Sequence, residues 1–170
     1  MDARRESEPT PMKNHTTAER KSERELVVTR TIHGPARIVF EAWTKPELFK
    51  QWWVPKSFGL SLLSCDADVR VGGRYRLVFS HPAAPKPMEF FGRYLEVIPH
   101  SRLVWTNEEG GESGQVTTVT FEERGGETLL VMHDLYPSKE ALDGDGAAGA
   151  MPEAFEQLDD LLVTLVASFK

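Results

Sequence analysis

The chain has 170 residues, 40% of them apolar and 27% charged, which suits one domain able to bury a core without a disulfide or metal staple. Its single cysteine, Cys65, excludes an internal disulfide, and no Cys/His group has zinc-ligand spacing, so neither metal nor cofactor is expected. The net charge is −6, and Pro137 to Lys170 carries seven acidic against two basic residues, which argues against nucleic acid, whose phosphates need a basic face.

Met1 to Glu23 is rich in Arg, Glu, Ser, Thr and Pro and nearly devoid of apolar residues. Such a segment buries too little surface to offset its ordering entropy, so residues 1–23 are expected to form a disordered tail before a domain spanning 24–170. The tail has no apolar core of a signal peptide, and no apolar run reaches the ~20 residues of a membrane span, so a cytoplasmic location is expected.

Glu25 to His33 (ELVVTRTIH) is rich in β-branched residues and predicts a strand ended by Gly34-Pro35. Val39, Phe40 and Trp43 then fall at helical spacing. Thr44 is placed to cap a second short helix that contains Pro46 and Glu47 and runs to about Trp53. Strands follow over Leu60 to Val69, over Tyr75, Leu77 and Phe79 after the Gly72-Gly73 turn, and over Met88 to Ile98, where Gly92 predicts a bulge or bend. Leu103 to Thr106 is the next strand. Val116 to Glu122 and Glu127 to Leu135 flank Arg124-Gly125-Gly126 as a hairpin. Ala141 to Gly149 reads as a loop or frayed helix start. From Met151 to Phe169 apolar residues recur in steps of three and four, which predicts a long amphipathic helix.

The order is strand, two short helices, six strands and a long helix. Short turns between strands imply an antiparallel sheet, and the last helix carries the large apolar stripe able to cover its inner face. The expectation is therefore an α+β domain in which a curved sheet of about seven strands grips the C-terminal helix. The pattern leaves open whether the space between them is a cavity or a filled core.

Candidate functional residues each have a plainer reading. Trp52 and Trp53 are adjacent, so both rings cannot face inward from a helix; both are structural, or one packs in the core and the other borders an opening or surface patch. His133 and Asp134 point to opposite faces of a strand and cannot form a local dyad, and the flanking residues do not decide which faces inward. On Met88 to Ile98, Phe91, Arg93, Leu95 and Val97 share one face, and Phe90, Tyr94 and Ile98 the other. Arg93 either contacts a ligand or forms an exposed ion pair with Glu89. Cys65 has no neighbour in sequence to activate it.

Several motifs together carry a family resemblance: Arg30-Thr31-Ile32 with Gly34-Pro35, Val39-Phe40-Glu41-Ala42-Trp43-Thr44 with Pro46-Glu47, Gln51-Trp52-Trp53-Val54-Pro55-Lys56, Asp68 to Tyr75 around Gly72-Gly73, Phe91-Gly92-Arg93-Tyr94, Val97 to Leu103, and Gln157-Leu158-Asp159-Asp160-Leu161-Leu162. In their order and spacing from about Arg24 to Phe169, the chain resembles the START/birch-pollen-allergen-like (SRPBCC) superfamily. Within it, it is similar to bacterial proteins resembling the C-terminal domain of activators of heat-shock-protein-90 ATPase. The resemblance implies the helix-grip (START-like) fold and often an apolar cavity. Many relatives carry Gly-Trp just before the last helix. Here Ala150 follows Gly149, so where that tryptophan lines the cavity mouth the resemblance implies an entrance that is wider or differently shaped, near a loop.

The expected function is non-catalytic binding of a small apolar molecule, a lipid or aromatic compound, between sheet and last helix. Trp43, Trp53, Tyr75, Phe79, Phe91, Trp105, Val119, Met132 and Phe155 would form the walls, with Arg93 as a polar contact. One alternative is a chaperone-regulating or stress-response module that binds a protein. Another is a cyclase- or lyase-type enzyme using Arg93, Tyr94, His133 or Asp134.

Overall fold

Glu25–Ile32 and Glu127–Leu135 both alternate buried with half-buried residues. They pair antiparallel from Glu25↔Leu135 to Ile32↔Thr128, which sets Leu26, Val28, Leu130 and Met132 on one buried face. These are strands β2 and β8 of a computed structural model that describes residues 16–83, 85–108, 114–144 and 147–168. The other strands are β1 (Thr17–Ser22), β3 (Ser61–Ala67), β4 (Arg74–Ser80), β5 (Met88–Ile98), β6 (Arg102–Asn107) and β7 (Gln115–Arg124). Helices α1 (Ala36–Thr44) and α2 (Pro46–Phe49) follow β2, and α3 (Lys139–Asp143) and α4 (Ala147–Ser168) follow β8. The eight-stranded antiparallel sheet has the order β1-β2-β8-β7-β6-β5-β4-β3. Its inner face holds α4, so the architecture is the α+β helix-grip fold.

The count exceeds the expected seven strands by one. Thr17–Ser22, expected inside the disordered tail, pairs with β2 from Thr17↔Thr29 to Ser22↔Glu25. All six of its residues are exposed. Main-chain hydrogen bonds rather than burial hold it, so hydropathy gives no sign of it. Residues 1–15 of the expected tail lie outside the described residues.

The second short helix also differs. Pro46 has no N–H and forces Lys45 into an extended conformation (φ −94°, ψ 116°), so Lys45 takes the cap position expected for Thr44. The Thr44 hydroxyl instead donates to the Phe40 carbonyl at 2.9 Å. α2 ends at Phe49 rather than near Trp53, and turns continue to a short 3-10 turn at Lys56–Phe58. Near the C-terminus, part of the expected loop is helical. Ser138 caps α3 by accepting from the Ala141 N–H at 3.1 Å, and α4 starts at Ala147, ahead of Met151.

Two glycine positions shape the sheet. Gly125 and Gly126 both have positive φ (60° and 85°) between the paired Arg124 and Glu127, the geometry of a two-residue hairpin turn. At Gly92 a Cβ would lie 2.0 Å from the Thr106 carbonyl oxygen and 2.9 Å from the Tyr75 ring. Only glycine lets β5 approach β6 there with Tyr75 lying across it.

Helix α4 carries the core. Phe155, Leu158 and Leu162 have no exposed surface and pack with Val28, Ile32, Ile38, Val39 and Trp52 in one cluster. Asp159, beside Leu158, is also buried. Its Oδ2 accepts from Arg30 Nη2 and Nε at 3.0 and 3.3 Å, and its Oδ1 accepts from the His33 backbone N–H at 3.0 Å. A buried ion pair thus fastens the helix to the end of β2.

Candidate ligand-binding cavity

Between the inner face of the sheet, the segment after α1 and the start of α4 lies a cavity of about 700 Å³. This volume suits a small organic molecule. Trp43 from α1, Phe49 from α2, and Trp53 and Phe58 from the following segment form one wall. Phe79, Phe90, Tyr94, Trp105 and Met132 line the sheet side, and Ala150 and Met151 the start of α4.

The aromatic wall is built around Trp43. Its ring centroid lies 4.7 to 6.2 Å from those of Trp52, Trp53, Trp105, Phe49, Phe155 and Phe121, mostly edge to face. The two adjacent tryptophans divide their work. Trp52 is fully buried and donates its indole N–H to the Ala42 carbonyl at 2.9 Å, while Trp53 is half-buried and faces the cavity.

The segment bearing Trp53 is strapped to α4. Gln157 donates from Nε2 to the carbonyls of Trp52 and Val54, each at 2.9 Å, and accepts from the Lys56 N–H at 2.9 Å. Glu153 accepts from the Ser57 N–H at 3.0 Å and from its hydroxyl. These bonds, the hydroxyl's first, hold the Glu153 carboxyl below the usual range.

One end of the wall is polar. Thr117 on β7 pairs across from Asp134 on β8 and from Trp105 on β6. The Thr117 hydroxyl donates to Asp134 Oδ1 at 2.5 Å, and Gln115 Nε2 donates to the same oxygen at 2.8 Å. Asn107 Nδ2 donates to Thr117 Oγ1 at 3.0 Å, and the Tyr75 hydroxyl lies 3.0 Å from Asn107 Oδ1. Tyr75 reaches this network because Gly92 leaves its path open.

Of the residues expected to line a cavity, Trp43, Trp53, Tyr75, Phe79, Trp105 and Met132 do so. Val119 and Phe155 are fully buried in the core behind the wall. Phe91 and Arg93 lie on the opposite face of β5. Phe91 borders a shallow outer depression with Arg74, Arg76 and Glu89. Arg93 pairs with Glu108 at 3.1 Å, and Arg76, not Arg93, pairs with Glu89. Four residues along a strand span about 13 Å, whereas a diagonal neighbour on the next strand is within reach. Phe90, Asn107, Gln115 and Thr117 belong to the wall and were not singled out from the sequence; Tyr94 and Asp134, considered there for acid–base chemistry, belong to it too.

The groups considered for acid–base chemistry are separated. Tyr94 and Asp134 face the cavity; Arg93 is on the outer face, and His133 points away to bond Glu25 Oε2 at 2.8 Å. Burial, and secondarily the charge of Asp66, pushes the Cys65 thiol up to about 11, so it is protonated near neutral pH and no nucleophile. Burial also raises the Tyr94 phenol, with Cys65 a lesser cause, so it stays a hydroxyl donor. Among the described residues the wall carries no histidine, lysine or arginine, and no group of three or more metal-ligating side chains occurs. No helix among them is long and apolar enough to cross a membrane.

Fold and cavity together define a helix-grip domain with an aromatic pocket under its C-terminal helix. The sequence matches the family described as Activator of Hsp90 ATPase homolog 1-like protein over residues 33–164, and the chain belongs to that family. Similar solved structures include a Rhodobacter sphaeroides protein, 24% identical, with a TM-score of 0.78 over 88% of this chain and 99% of that one. A Nitrosomonas europaea protein is 23% identical, with a TM-score of 0.76 over 86% and 99%. A Staphylococcus epidermidis protein is 27% identical, with a TM-score of 0.69 over 87% and 94%. No curated protein matches the sequence significantly.

Proposed function

We propose that the protein binds a small, largely apolar molecule in this cavity and does no chemistry on it. The observation that carries the reading is the aromatic-walled space of about 700 Å³ between sheet and α4. Burying an apolar ligand against these rings supplies affinity at roughly 25 cal/mol per Å² removed from water, before the costs of association. The separation of His133 and Arg93 from Tyr94 and Asp134, and the protonated Cys65, favour binding over catalysis. The same proposal places the protein in the cytoplasm.

Native mass spectrometry of freshly purified protein, with titration of an environment-sensitive apolar dye, tests it. The expected result is one saturable site of about micromolar affinity, roughly −8 kcal/mol, on the folded protein. A flat titration beside a responsive lipid-binding control would overturn the reading. Co-purification of a chaperone with no retained small molecule would put the protein-binding alternative in its place.

A further inference from the structure

The polar end of the cavity narrows the class of ligand, on the reading that the cavity is a binding site. Asp134 is the acidic side chain of the wall among the described residues, and it is 2% exposed. Its partners form a directed series. Asn107 donates to Thr117, and Thr117 and Gln115 donate to Asp134 Oδ1, while the Tyr75 hydroxyl donates to the Thr106 carbonyl at 2.8 Å. From Asn107 onward the protons point toward the carboxylate, so Asp134 acts as an acceptor at this end of the wall. The rings next to it in the same cross-strand row are Trp105 and Tyr94, whose faces also attract positive charge. The wall offers an anion no lysine or arginine among the described residues.

We infer that the cavity takes an apolar amine, its ammonium on Asp134 and its apolar body among Trp43, Trp53 and Trp105, and that it rejects apolar molecules headed by a carboxylate. A charge-assisted hydrogen bond is about twice as strong as a neutral one, so a hydroxyl head ranks second. A carboxylate head meets a like charge at Asp134.

The test uses three probes with one body: naphthylethylamine, naphthylethanol and naphthylacetate, titrated calorimetrically into the full chain near neutral pH beside the apolar dye. The expected order is amine, alcohol, carboxylate, with the amine about 100-fold tighter than the carboxylate. Asp134→Asn, which keeps the size and one acceptor oxygen, should shrink that ratio to under about 5-fold. A carboxylate bound as tightly as the amine in the wild type overturns the inference, as does an unchanged ratio in an Asp134→Asn protein with native melting. Should that variant not fold, the wild-type ranking decides alone. Dye binding without preference for the amine overturns this inference and leaves the proposed function standing; no binding of dye or probes overturns both.

Discussion

Removing the Asp159 carboxylate should be among the costliest single changes in the protein. Asp159 and Arg30 have side chains only 8% exposed, and the Asp159 oxygens also accept from the His33 backbone and ring. Arg30 Nη1 adds a bond to Thr16 Oγ1 at 3.1 Å. Asp159→Ala strands a buried guanidinium and leaves the His33 N–H without its acceptor. Breaking one partner of a buried pair costs about 3–5 kcal/mol, because the remaining charge stays desolvated. For a chain of this length that lowers the melting temperature by about 10 °C. Replacing both partners with apolar residues, Arg30→Met with Asp159→Leu, should recover most of the loss, since no charge is then left buried. Thermal and urea unfolding of Arg30→Met, of Asp159→Leu and of the double variant measure the coupling as a cycle, with Asp159→Ala unfolded alongside. A loss under about 1 kcal/mol for Asp159→Ala would refute the claim that the pair is desolvated, and a double variant as unstable as the sum of the singles would refute the stranded-charge argument.

Leu158→Ala, at a side chain with no exposed surface in the middle of α4, should cost roughly 2–5 kcal/mol in urea unfolding; less than about 1 would mean that the helix does not fill the grip. Cys65, raised from an ordinary 9.0 to about 11 and set in the cavity wall, should alkylate about 100-fold more slowly than an unhindered thiol at about pH 8, and more slowly again with the dye bound. A rate matching the free thiol, followed by mass spectrometry, would contradict its placement. Ala150→Trp should weaken bulky ligands more than small ones, because Ala150 lies in the wall, and leave stability within about 1 kcal/mol. Equal weakening of both, in parallel dye titrations, would place the ring away from the ligand.

The sequence made the large periodic elements legible and missed what periodicity does not encode. β2, β8 and α4 announce themselves by burial in twos or in threes and fours. β1 has no buried side chain, so only its partner strand reveals it. The start of α4 was hidden by Gly149 and by Pro152, which lies inside the helix although proline usually ends one. On β5 the error was one of phase. Val97 packs on the core, and counting back in twos from it turns Arg93 and Phe91 inward. The pairing with β6 shifts register between Tyr94 and Glu96, and this bulge moves the phase by one, so that Tyr94, Gly92 and Phe90 face the cavity instead. Val119 and Phe155 show the remaining limit: alternation marks a side chain as inward and says nothing of whether the space it meets is filled or open.

The short motif at the centre of α4 shows how one stretch of sequence fixes both fold and cavity. In Gln157-Leu158-Asp159, neighbours about 100° apart around the helix serve three different surfaces. Leu158 fills the core, Asp159 holds β2 through Arg30, and Gln157 grips the backbone of the segment that carries Trp53. The helix is thus secured on either side of its core-facing stripe. The turns before the motif, with Ala150 and Met151, are left to face the cavity, along with the segment that Gln157 restrains. A wall assembled this way keeps its volume because its sides are tied by polar contacts at the margins, while the aromatic rings between them remain available to a ligand.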